Sequence, residues 1–119
     1  MKLTIDRSTW LRGEGSTNAY LRRKEDGKQC CLGFYCAALG LDSGKLTDVK
    51  SPIGIEALYK DTLFPIEAAK WLFGGNVFNV SEECYQLTIA NDTLAIAEDK
   101  REETVKEIFA KHDVEVEFV

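Results

Sequence analysis

A chain of 119 residues, 45% apolar and 29% charged, is long enough for one hydrophobic core and too short for a catalytic domain plus a separate regulatory one. Nine Gly and two Pro exclude a collagenous or linker-like chain, the apolar content excludes disorder, and a formal charge of -5 disfavours general nucleic-acid binding. The charge is uneven: residues 1–60 hold ten basic and seven acidic side chains, and residues 61–119 hold five and thirteen. Either the halves attract each other within the fold, or an acidic face is offered to a basic partner, or the acidic residues simply serve solubility.

Residues 2–6 alternate, with Leu3 and Ile5 on one side, and predict a short strand before a turn at Asp6–Thr9. RGEGSTN at 12–18 carries two Gly and no large apolar group, which predicts a loop. Asp26-Gly27 predicts a tight turn, flanked by two short strands or by a loop feeding the next helix. In CCLGFYCAALG, Cys31, Leu32, Tyr35, Cys36 and Leu39 recur at helical spacing, and Gly40 supplies a C-terminal cap. Gly33 inside this helix marks the close approach of another backbone or side chain, and Ala37 and Ala38 offer a second small surface, so the helix is expected to be central.

Residues 41–52 lack a periodic apolar face and predict a loop. Pro52, with Ser51 before it, predicts a helix over 52–60 carrying Ile55, Leu58 and Tyr59 on one side. Pro65 to Leu72 predicts a further turn or two, or an apolar loop, stopped by Gly74-Gly75. Ser81 followed by Glu82 and Glu83 predicts a capped helix ending at Asn91-Asp92, with Leu87 and Ile89 extending its apolar face. A last helix over 99–111 points Val105, Ile108 and Phe109 inward, and Val114, Val116 and Phe118 predict a closing strand. The expected fold is a single α+β domain over 1–119, in which helices cover a small antiparallel sheet formed by the two termini.

The sharpest chemical signal is Cys30-Cys31 at a helix start, where amides and Lys28 would favour a thiolate. With His112 as base, Cys30 or Cys31 would make a small cysteine-dependent enzyme; the competing reading is a structural cysteine in the core. Cys30, Cys31 and Cys36 lack zinc spacing, and neither RGEGS nor FGGN has the ending of a phosphate loop, so no metal or cofactor is expected. The start MKLTIDRSTW breaks its apolar run at Asp6 and Arg7, so no membrane span is expected, and four cysteines without an apolar leader suit a reducing cytoplasm. Trp10, Arg12, Tyr20, Arg22, Arg23 and Lys28 form a basic and aromatic group that suits a protein interface, or weak single-stranded nucleic-acid binding. Internal pairing of Arg7 and Arg12 with the acidic half competes with both.

WLRG at 10–13, KQCCLGFYCAALG at 28–40, IAND at 89–92 and REETVKEIFAKHDVEVEFV at 101–119 together resemble a group of small proteins encoded by bacteriophages and prophages. The resemblance leaves out residues 41–80 and carries no activity or residue role. It implies a cytoplasmic accessory protein that works by occupying another protein's surface. A protein partner is therefore expected, nucleic acid is disfavoured, and a homodimer stays open.

Overall fold

The structure is a computed structural model that describes residues 1–54, 65–75 and 79–119. Its elements in chain order are β1 (Lys2–Ile5), α1 (Cys31–Ala38), α2 (Ser43–Leu46), α3 (Ile66–Ala69), α4 (Glu82–Asp92), α5 (Glu98–Ala110) and β2 (Glu115–Phe118). Short 3-10 turns lie at Ser16–Asn18, Pro52–Gly54 and Lys70–Leu72. Of the helix expected over 52–60, Pro52–Gly54 form a 3-10 turn, and the expectation for 55–60 falls outside the described residues.

The α+β class and the pairing of the termini hold, but β1 and β2 run parallel, with Lys2 opposite Glu115 and Ile5 opposite Phe118, not antiparallel as expected. Alternation could not decide this, because both ladders share a period of two and differ only in how the strands are connected. A hairpin needs a short turn, whereas here everything from Asp6 to Val114 is the crossover between two parallel strands. The direction of β2 is set by α5. Asp113, at φ 60°, closes a tight turn in which the Val114 amide donates to the Phe109 carbonyl at 3.1 Å, so β2 folds straight back along the helix. Both chain ends join the ladder: Glu115 N–H donates to Met1 O at 2.8 Å, and Val119 N–H to Ile5 O at 3.0 Å.

The inward residues are those that alternation selected. Leu3, Ile5, Val114, Val116 and Phe118 are all buried, as are Val105, Ile108 and Phe109 of α5. Helix α1 crosses this core with Cys31, Leu32, Gly33, Tyr35 and Cys36 buried, whereas Ala37 and Ala38 are exposed. Gly33 is the close approach expected: a Cβ there would sit 1.8 Å from the Leu21 carbonyl oxygen. Gly40, at φ 105°, follows the end of the helix, where the left-handed region suits it.

One further expectation changes, and one pair of alternatives is decided. Residues 41–52 contain the single turn α2, capped by Asp42 and pinned by the fully buried Leu46, too short to show a period in sequence. The Asp26-Gly27 turn forms, with Gly27 at φ 72° and Arg23 N–H on Lys28 O at 2.7 Å, but its flanks are not paired strands. They make isolated bridges instead, Trp10 to Gln29 and Arg22 to Thr47.

Candidate functional site

Helix α4 begins as its sequence dictates, with the Ser81 hydroxyl accepting from Cys84 N–H at 3.0 Å and two acids in the first turn. Its other end is unusual in how completely its last carbonyls are met. A helix leaves four carbonyls without internal partners. Here Ile89 O accepts from Thr93 N–H at 3.1 Å, Asn91 O from Gly13 N–H at 2.8 Å and Asp92 O from Gly15 N–H at 2.9 Å. Arg101 supplies the remainder, donating through Nη1 to Ala90 O at 2.8 Å and to Asn91 O at 2.9 Å.

The loop at 12–18 is thus a cap for α4. Gly13 and Gly15 are needed at φ 68° and 81°, and a Cβ on Gly13 would stand 2.9 Å from the Arg101 guanidinium. Arg101 itself is 1% exposed and also donates to Glu98 at 3.1 Å. Beside it the Asn91 amide ties three segments together: its oxygen accepts from the Trp10 indole at 2.8 Å and Cys31 N–H at 3.0 Å, while its nitrogen donates to Leu11 O and Asp92 Oδ1. The separated motifs WLRG, CCLG, IAND and REE therefore meet at one buried polar junction.

This junction has an outer side. Tyr85 and Ile89, four residues apart on α4, share a face, and they are 51% and 47% exposed; Leu94, just beyond the helix, is 72% exposed. Among the described residues the other large apolar side chains exposed to this degree are Met1 and Val119, the first and last residues. Between these side chains and the Gly15-Ser16 loop runs an open groove of about 460 Å³, with Thr88 and Asp92 in its lining. Asp92 is 8% exposed, and its carboxyl sits above the ordinary carboxylate range because burial penalises the charge more than Asn91 and Arg101 relieve it.

The predicted site residues lie elsewhere. Trp10 is buried, with its ring 4.9 Å from Phe118 and under the Arg12 guanidinium, so it belongs to the core. Arg12 pairs with Glu98 at 2.6 Å and Arg7 with Glu102 through two bonds of 2.8 Å, so the basic and acidic halves do meet inside the fold. Arg23 is held by Asp26 and Glu14, Arg22 reaches Thr47 at 3.3 Å, and half-buried Tyr20 lies under the Lys50 ammonium. Lys28 is half-buried.

All four cysteines are free and buried. Burial pushes the Cys30 and Cys84 thiols up to about 12, and those of Cys31 and Cys36 up as well. His112 is bonded to Glu83 at 3.0 Å and stacked on Trp71 at 4.0 Å, so it serves an aromatic cluster with Tyr35 and Phe109. The structure does not bring it to Cys30 or Cys31. Among the described residues no group of three or more His, Cys, Asp or Glu is placed to hold a metal ion.

None of Tyr85, Ile89, Asp92 and Leu94 is among the site residues expected from sequence, which places Ile89 on the inner face with Leu87. Two residues turn a helix by about 200°, so Leu87 and Ile89 must point apart. Buried Cys84, Leu87, Ala90 and Asn91 define the inner stripe and leave Tyr85 and Ile89 outside. That spacing was the signal available. No protein-family model, curated protein or solved structure matches the chain.

Proposed function

We propose that this chain is a small binding protein, of the accessory kind that its likeness to phage- and prophage-encoded proteins implies, and that it engages a protein partner through the outer face of α4. The observation that carries this reading is the grouping of Tyr85, Ile89 and Leu94 along one groove, because large apolar side chains scattered singly need no explanation whereas a contiguous patch does. The face stands on a rigid support. Each of the last carbonyls of α4 is capped, and Asn91 and Arg101 fix its end to the core, so a partner would meet a preorganised surface and lose little binding energy to ordering it.

The thiols suit this reading better than a catalytic one. A nucleophilic cysteine needs an accessible thiolate and a base, whereas Cys30 and Cys31 are buried and His112 is engaged with Glu83 and Trp71. Free thiols are in keeping with a reducing cytoplasm. Among the described residues no helix is long and apolar enough to cross a membrane.

The reading is tested by capture from a lysate with three forms of the chain: wild type, Tyr85→Ser/Ile89→Ser, and Arg22→Ala/Arg23→Ala. A partner retained by the first and third and lost by the second supports it. Loss only with the arginine pair would return the interface to the basic, aromatic group.

A further inference from the structure

Asp92 gives the groove a chemical preference. Its Oδ1 accepts from the Asn91 amide at 2.9 Å, and no cation lies within ion-pair distance of either oxygen among the described residues. Every fully buried side-chain nitrogen and oxygen there has a hydrogen-bond partner, so the second Asp92 oxygen, which has none among the described residues, keeps some exposure to solvent, and Asp92 lines the groove.

The nearest positive groups are already engaged. Arg101 is surrounded by carbonyls and Glu98, and Lys50, which rims a small recess beside Asp92, donates to Thr17 O at 3.1 Å and covers Tyr20. The lining of the groove is otherwise neutral, with hydroxyls at Ser16, Thr88 and Thr93. A carboxylate nine-tenths buried, eased by Arg101 but in ion-pair contact with no cation among the described residues, is costly, and a cation delivered by a partner would offset that cost in a site already stripped of most of its water.

We propose that the groove takes a protein segment presenting a lysine or arginine to Asp92, with an adjoining apolar side chain laid on Tyr85, Ile89 and Leu94. This rests on the reading of the α4 face as the docking surface. The apolar side chains supply area, and the carboxylate selects among the segments that could fill it.

The test is selection of a randomised peptide library against the purified chain, followed by affinity measurement of the selected peptides on wild type, Asp92→Asn and Tyr85→Ser/Ile89→Ser. The asparagine keeps the acceptor that Asn91 uses, and a thermal melt confirms that each variant is folded. The expected peptides carry one Lys or Arg next to apolar residues, and they lose at least about tenfold in affinity on Asp92→Asn and all measurable binding on the double variant. Peptides that need Tyr85 and Ile89 but show no basic preference, with unchanged affinity for Asp92→Asn, overturn the cation while leaving the docking face in place. Peptides indifferent to both variants overturn the face itself. Self-association of the wild-type chain that Ile89→Ser abolishes would make the occupant a second copy and overturn a heterologous partner.

Discussion

The Arg101 guanidinium donates to the backbone carbonyl of Asn91, ten residues earlier, at 2.9 Å, and so joins the end of α4 to the first turn of α5. Both residues are 1% exposed, and through the Asn91 side chain the same contact reaches Trp10, Leu11 and Cys31. The groove proposed for binding stands on this junction.

Replacing Arg101 by Met keeps much of the volume but strands the Ala90 carbonyl and weakens the cap on Asn91. The expected loss is about 1 to 3 kcal/mol, the cost of leaving a buried acceptor unsatisfied. Urea unfolding of the variant measures it. A loss below about 1 kcal/mol would show that the junction is not a principal support of the fold.

Gly33 offers a test with an unusual sign. Gly to Ala inside a helix ordinarily gains up to about 1 kcal/mol. Here the new Cβ would meet the Leu21 carbonyl at 1.8 Å, a backbone atom that cannot swing aside. Gly33→Ala should therefore destabilise, by about 1 to 3 kcal/mol, and Gly33→Leu by more. An unchanged or raised melting temperature for the alanine variant would contradict the packing of α1 on the Leu21 segment.

How much of this was legible in the sequence depends on the range of the forces involved. Alternation found both strands and every inward residue on them, Ser81 marked a helix start, and Gly33 signalled a close approach, because each is a local consequence of period or backbone space. The direction of β2 was not legible, since it follows from the route of the whole chain between Ile5 and Glu115. Nor was the role of RGEGS: its glycines read as a loop, and only the end of α4, some eighty residues on, shows what the amides of Gly13 and Gly15 are for. Asp92 reads in sequence as a helix terminator, with no sign that its carboxylate is enclosed without an ion-pair partner among the described residues.

The acid–base behaviour of the fold separates Asp92 from the surface pairs. Its folded-state pKa is raised from 3.8 by burial, so the stability linked to it is fully present below that value and is lost as pH rises through the folded value. Asp92→Asn should accordingly melt above wild type at neutral pH, and the difference should close as pH falls toward about 4. Glu102 runs the other way. Hydrogen bonds from Arg7 hold it below 4.5, so its contribution is present above that value and fades as pH falls through the folded one. For Glu98, burial alone would raise the pKa, but Arg12 and Arg101 outweigh it and the net shift is downward. A lower melting temperature for Asp92→Asn at neutral pH would show that the carboxylate stabilises the fold and is not held there at a cost.

The thiols should be inert while the chain is folded. Burial raises all four above the ordinary thiol range, so iodoacetamide at neutral pH should label none rapidly and all of them once urea unfolds the chain. Rapid labelling of Cys30 or Cys31 alone in the native protein would favour the catalytic alternative.

The binding face itself is most directly tested by hydrogen exchange on the chain alone and on the chain bound to the partner it captures. The account predicts slowed exchange over residues 85–94 and at Ser16 in the complex, where α4 and the capping loop border the groove, with the amides of residues 20–28 unchanged. Slowing confined to residues 20–28, with α4 and the loop exchanging as in the free chain, would contradict it.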